Sequence, residues 1–179
     1  FAFGECSGFQ GVLTIPESIT TIGESAFYKC SGFTYLQFKT TTLQSIKRNT
    51  FFGCTGFIGT LIIPEYLLTI SNNAFYGCTG FNGLNFSHFV TEIGNGAFNG
   101  CCSMSGTLKI PKYIKFIGLD SFSSTNFTKI YYRGEKSPIC PDKIGLNDNQ
   151  IIEVGKKFQD KVFCGNKIEI ISEKADNNL

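Results

Sequence analysis

Residues 26–33 read Ala26-Phe27-Tyr28-Lys29-Cys30-Ser31-Gly32-Phe33, and the same phrase returns along most of the chain. It recurs as Thr50-Phe51-Phe52-Gly53-Cys54-Thr55-Gly56-Phe57 and as Ala74-Phe75-Tyr76-Gly77-Cys78-Thr79-Gly80-Phe81. An earlier copy is Ala2-Phe3-Gly4-Glu5-Cys6-Ser7-Gly8-Phe9. Two later copies are worn: Ala97-Phe98 followed by Cys101-Cys102-Ser103-Met104, and Ser121-Phe122 followed by Phe127. The first Phe of each copy (Phe3, Phe27, Phe51, Phe75, Phe98, Phe122) returns at intervals of 24, 24, 24, 23 and 24 residues. A unit that short cannot bury its own apolar side, so copies must stack on one another. The period alone predicts a solenoid.

A second constant segment runs between the phrases. Odd copies carry Leu13-Thr14-Ile15-Pro16, Leu61-Ile62-Ile63-Pro64 and Leu108-Lys109-Ile110-Pro111. Even copies carry Leu36-Gln37-Phe38 and Leu84-Asn85-Phe86 without the Pro, and the sixth ends as Ile130-Tyr131-Tyr132. Each triplet predicts a short strand whose outer residues face one side and whose middle residue faces the other. Pro directly after the triplet removes a ladder donor and ends the strand. Gly23, Gly94 and Gly118 follow a conserved-looking Ile in their copies and read as turn residues. One strand per repeat, set side by side, gives a curved parallel β-sheet on a concave face, with turns and loops elsewhere and little regular helix.

The order Cys-x-x-Phe, Leu-x-Ile-Pro, Ile-x-x-Ile-Gly, Ala-Phe resembles the BspA-like leucine-rich repeats, which occur on surface proteins of mucosal bacteria and parasitic protists. The resemblance covers residues 1–132 in about six copies of 23–24 residues. Repeat two departs from it, with Lys39-Thr40-Thr41-Thr42 in place of the Pro turn, and repeat six lacks the Cys. Phe1-Ala2-Phe3 opens inside a repeat, so the expectation is a solenoid truncated at its N-terminus.

A boundary is expected near residue 133. Residues 1–132 hold 14 charged side chains, whereas the much shorter 133–179 holds 16 and no Phe-Cys phrase. The last unit of a solenoid needs a polar outer face, so residues 133–179 read as a C-terminal capping region. Strands are expected at Ile151–Val154 and Lys167–Ile171, and fraying over Lys174–Leu179. Val162-Phe163-Cys164-Gly165 is similar to the closing segment of some protist members.

The net charge of +2 argues against a nucleic-acid partner, and no apolar run reaches the length of a membrane-spanning segment. Catalytic constellations are missing from the sequence. His88 is the one histidine and sits in a turn slot held elsewhere by Glu17 and Glu65, so the reading is not an enzyme, with no cofactor. Of eight cysteines, Cys6, Cys30, Cys54, Cys78 and Cys101 fall in phase and predict a ladder of buried free thiols bonded to turn carbonyls. No Cys-x-x-Cys spacing suggests a metal. Cys140 and Cys164 lie outside the ladder as a candidate disulfide in an oxidising compartment, with Cys102 left over.

The candidate ligand-binding residues are the strand positions that point outward: Thr14, Gln37, Ile62, Asn85, Lys109 and Tyr131. They vary in a chain that otherwise copies itself. Lys109, Lys112, Lys115, Lys129 and Arg133 gather late in the solenoid, where an acidic protein or acidic glycan would be attracted. Asn85-Phe86-Ser87 and Asn126-Phe127-Thr128 are sequons, making Asn85 and Asn126 candidate glycosylation sites. The resemblance implies a cell-surface or secreted adhesion module whose concave face binds a host matrix or cell-surface protein. The alternative is a structural spacer that displays other domains.

Overall fold

The computed structural model describes residues 2–141, 143–147 and 150–170, and these residues coil as a parallel β-solenoid without a helix. In chain order the first strands are β1 (Gly11–Ile15), β2 (Phe33–Phe38), β3 (Ser45–Ile46), β4 (Gly59–Ile62), β5 (Thr69–Ile70), β6 (Phe81–Asn85) and β7 (Glu92–Ile93). They are followed by β8 (Ser105–Ile110), β9 (Phe116–Ile117), β10 (Asn126–Tyr132), β11 (Ile151–Val154), β12 (Val162–Phe163), β13 (Asn166–Lys167) and β14 (Glu169–Ile170). No described helix is long and apolar enough to cross a membrane.

The triplets lie on the long strands β1, β2, β4, β6, β8 and β10, which begin two to four residues earlier than the triplets do, with Ile63 and Phe86 falling just past the ends of β4 and β6. They pair in parallel as β1–β2, β4–β6 and β8–β10–β11–β14. The row is therefore laddered in three groups rather than one unbroken sheet. Odd copies hold one more residue than even ones between the aromatic or Met anchor and the Leu, as in Phe57 to Leu61 against Phe81 to Leu84. Gly11, Gly59 and Gly106 take that place at φ near +80°. Within each group the even strand loops out one residue, Thr34, Asn82 or Thr128, to restore register. The Thr34 and Thr128 hydroxyls donate to the Gly11 and Gly106 carbonyls.

A second parallel ladder, β3–β5–β7–β9, runs along another side of the coil. It corrects the expectation of one strand per repeat: each middle coil has two. Its inward residues Ile46, Ile70, Ile93 and Ile117 are fully buried. A two-residue strand shows no alternation, so pattern reading passes over it. Gly94 and Gly118 stand where a side chain would be costly, as the sequence suggests, whereas a Cβ at Gly23 would meet nothing within 4 Å; none of the three has a positive φ. A Cβ on Gly118 would meet the Asn95 amide nitrogen at 2.4 Å, so this glycine is required by the close approach of the neighbouring coil.

The interior is built of rows. Phe3, Phe27, Phe51, Phe75, Phe98 and Phe122 stack with ring centroids 5.2–5.6 Å apart. Phe9, Phe33, Phe57 and Phe81 form a second row, meeting the first edge-on at Phe51–Phe57 and Phe75–Phe81. Stacking and edge contacts add about 0.5–1.5 kcal/mol per pair beyond area burial. The thiol ladder sits beside them as expected: Cys30, Cys54, Cys78 and Cys101 donate to the carbonyls of Phe3, Phe27, Phe51 and Phe75 in the preceding coil at 2.8–3.2 Å.

The described residues of 133–170 extend the same stack. β11 forms over the residues expected for it and joins β10, while the strand expected over Lys167–Ile171 divides. Asn166–Lys167 pairs back on β12 as a hairpin, Glu169–Ile170 joins β11, and Ile171 lies outside the described residues, as does Lys174–Leu179. The hairpin turns at Cys164-Gly165, both at positive φ, and Cys164 is disulfide-bonded to Cys140. Tyr132, Phe158 and Phe163 meet over the last coil and close the end of the core.

Candidate functional site

The long strands present one open face. Along it Thr14 pairs with Gln37, Ile62 with Asn85, and Lys109 with Tyr131, which pairs in turn with Glu153. Thr14, Gln37, Ile62, Asn85 and Lys109 are exposed. Between them and the interior, Leu61, Leu84, Leu108 and Ile130 are buried, so the alternation read from the triplets holds at the level of single side chains.

Tyr131 corrects the outward reading of the sixth triplet, because it is only 5% exposed. The Arg133 guanidinium lies 5.5 Å over its ring, and Arg133 Nε donates to its hydroxyl at 2.7 Å. A ring flanked by two strands and roofed by a guanidinium is withdrawn from contact, while the cation above it is half-buried at the surface. Arg133 takes the position that Tyr131 was expected to hold.

A second outward file was missed. The strands run two residues further back than the triplets, so Val12, Tyr35, Thr60, Gly83, Thr107, Lys129 and Ile151 stand on the same face. Val12 and Tyr35 are 54% and 50% exposed and Ile62 is 65% exposed, giving the N-terminal half of the face an apolar surface. The signal was in the sequence as alternation extending backwards from each Leu. The positive-φ glycines Gly11, Gly59 and Gly106 hid it, since glycine reads as a strand end.

The late basic cluster does not stay together. Lys129 Nζ is bonded to Glu153 Oε1 at 2.7 Å, which neutralises it locally. Lys115 precedes β9 and lies on the side of the second ladder. Lys109, Lys112 and Arg133 instead converge with the exposed turn residue His88 around a groove of about 280 Å³.

The two sequons are placed unequally. Asn85 is exposed in the middle of the open face, so a glycan there and a ligand across the face exclude each other. Asn126 Nδ2, the atom a glycan would need, donates to the Cys102 carbonyl at 2.5 Å. The thiols offer little chemistry: burial pushes Cys54 and Cys101 up to about 12 and Cys78 well above the usual thiol value. Cys102 is exposed and unbonded.

Comparison with known proteins agrees with this geometry. The coordinates resemble a crystallised leucine-rich repeat protein of T. pallidum, with a TM-score of 0.61, 21% identity, and coverage of 89% of this chain and 68% of that one. They also resemble a leucine-rich repeat protein from Bacteroides ovatus, with a TM-score of 0.52, 18% identity, and 93% of this chain against 62% of the other. The chain thus spans less than two thirds of the Bacteroides protein's length. At these identities the likeness concerns the fold. No curated protein sequence gives a significant match. The family described as the BspA type leucine rich repeat region matches residues 1–129 in six copies. Most of the chain is accounted for by that match, and the chain belongs to the BspA-type leucine-rich repeat family.

Proposed function

We propose that this chain is a recognition module of a cell-surface or secreted protein and that the open face of its long strands binds a protein ligand. The family's setting supports a host matrix or cell-surface protein as the ligand class. The observation that carries this is the contrast between neighbours on one strand. The buried positions repeat Leu or Ile, while the exposed positions between them run Thr14, Gln37, Ile62, Asn85, Lys109. Packing dictates the first set and leaves the second open to selection for contact. Six strands at about 4.8 Å give a patch roughly 25 Å long, enough for a short segment of a partner.

The test is capture of the whole chain on immobilised fibronectin, fibrinogen and epithelial cells, compared with Ile62→Asp and with the triple variant Gln37→Ala, Asn85→Ala, Lys109→Ala. Saturable binding that both variants weaken, at an unchanged thermal midpoint, supports recognition by this face. Binding that neither variant alters moves the site elsewhere, and absence of binding favours a spacer.

A further inference from the structure

We propose that the groove at the C-terminal end of the open face is an oxyanion subsite, which holds a carboxylate-bearing stretch of the protein ligand. This rests on the recognition reading above and assigns the chemistry of one part of it. The groove lies between the turn after β6 and the ends of β8 and β10, and Lys109, Lys112, Arg133 and His88 line it with no carboxylate among the described residues of its lining. Neither Lys109 nor Lys112 is ion-paired among the described residues. Arg133 is held in place by Tyr131, whose hydroxyl accepts from Nε at 2.7 Å. Such a cation is oriented before any ligand arrives.

An independent observation lies at the base of the same groove. Ser87 lines it at 8% exposure, and its buried hydroxyl oxygen has no hydrogen-bond partner among the described residues. A buried hydroxyl left unpaired is costly, and a carboxylate seated against the groove wall would offer the acceptor it lacks once the wall shifts to uncover it. One oriented guanidinium beside two exposed lysines in a concave site favours a carboxylate more than scattered surface lysines would.

The rest of the face decides between a polypeptide and a sulfated glycan. Val12, Thr14, Tyr35, Gln37, Ile62 and Asn85 carry no charge, and Lys129 is compensated by Glu153. A sulfated polysaccharide bears charge along its whole length and would need cations along the whole track. A peptide with an apolar side chain followed by acidic ones matches a face that is apolar at one end and cationic at the other. Ile62 on β4 and Lys109 on β8 are two strand spacings apart, about 10 Å, which an extended peptide covers in roughly three residues.

The test is an NMR titration of the isotope-labelled whole chain with three probes. The first is a synthetic peptide with two leucines and, three residues on, three glutamates. The second has glutamines in place of the glutamates, and the third is a heparin hexasaccharide. The expected result is saturable shifts at Ser87, Lys109 and Arg133 with the first peptide and at least tenfold weaker binding of the second. Lys109→Gln combined with Lys112→Gln should weaken the first peptide by about tenfold, as for two exposed charges acting together, with the thermal midpoint unchanged. Equal binding of both peptides, or no shift at millimolar peptide, overturns the subsite. Heparin binding the groove more tightly than the glutamate peptide overturns the polypeptide occupant. Ile62 does not line the groove: if Ile62→Asp abolishes capture on matrix proteins while the lysine variant does not, recognition by the face stands and the subsite fails.

Discussion

At Gly56 a Cβ would stand 2.1 Å from the carbonyl oxygen of Ser31 and 2.6 Å from that of Phe33, both in the preceding coil. The equivalent Gly8 in the first coil has nothing within 4 Å. Gly56→Ala is therefore expected to destabilise by about 1–3 kcal/mol, as overpacking does, and Gly8→Ala by less than ~0.5 kcal/mol. Urea unfolding of the two variants checks this; equal effects would mean that the glycine serves its own turn rather than the stack. The thiols give a second residue-scale expectation. Cys54 and Cys101 are fully buried, and desolvation is the largest cause of their rise to about 12 from 9.0. At pH 8 a disulfide reagent should label Cys102 and the half-buried Cys6 quickly and the other ladder thiols only on unfolding. Rapid labelling of four or more thiols in the native protein would contradict the burial. The linkage has a definite sign. These thiols hold their protons more tightly folded than unfolded, so their contribution is complete below about pH 9 and is lost between about 9 and 12. Stability should fall over that alkaline range.

Elements in this fold differ in how far local sequence specifies them. The long strands follow from Leu-x-Ile alternation and the Pro that ends the odd ones, and β11 follows from Ile151-Ile152-Glu153-Val154. The two-residue strands of the second ladder have no alternation to read. They exist because Ile46, Ile70, Ile93 and Ile117 are carried to the same height in successive coils, where their backbones pair. The β12–β13 hairpin was legible only as Val162-Phe163-Cys164-Gly165, with no hint that Asn166–Lys167 returns on it. Its covalent tie to the solenoid is the Cys140–Cys164 disulfide, whose ends are 24 residues apart in sequence, beside the packing of Phe163 on Tyr132. Closing a loop of that length restricts the unfolded chain by roughly 3 kcal/mol. Cys140→Ser paired with Cys164→Ser should lower stability by about that amount and speed hydrogen exchange over residues 158–170, with little change at Phe51 to Phe98. Uniform acceleration along the whole chain would show instead that the hairpin is the keystone of the stack.

Over the whole molecule each coil touches mainly its two neighbours, and the two ends are unlike. Phe3 and Phe9 of the first coil are each 45% exposed, whereas the last coil is covered by Tyr132, Phe158 and Phe163. The sequence by itself determined the period, the solenoid, the core rows of Phe and Cys, the long strands and the side of each strand that faces outward. It could do so because those properties depend on which residues recur at a fixed interval, and recurrence is visible in one dimension. Tertiary structure decided the rest. Tyr131 is outward by alternation yet buried because Arg133 folds over it, Lys129 is spent on Glu153, and Ser87 reaches the groove that Lys109, Lys112, His88 and Arg133 surround. Each of these depends on contacts between different coils, more than 20 residues apart in sequence, or on the path of one side chain over another. No periodic pattern records such contacts, because the repeat fixes where a backbone runs and leaves the exposed side chains to find their own partners.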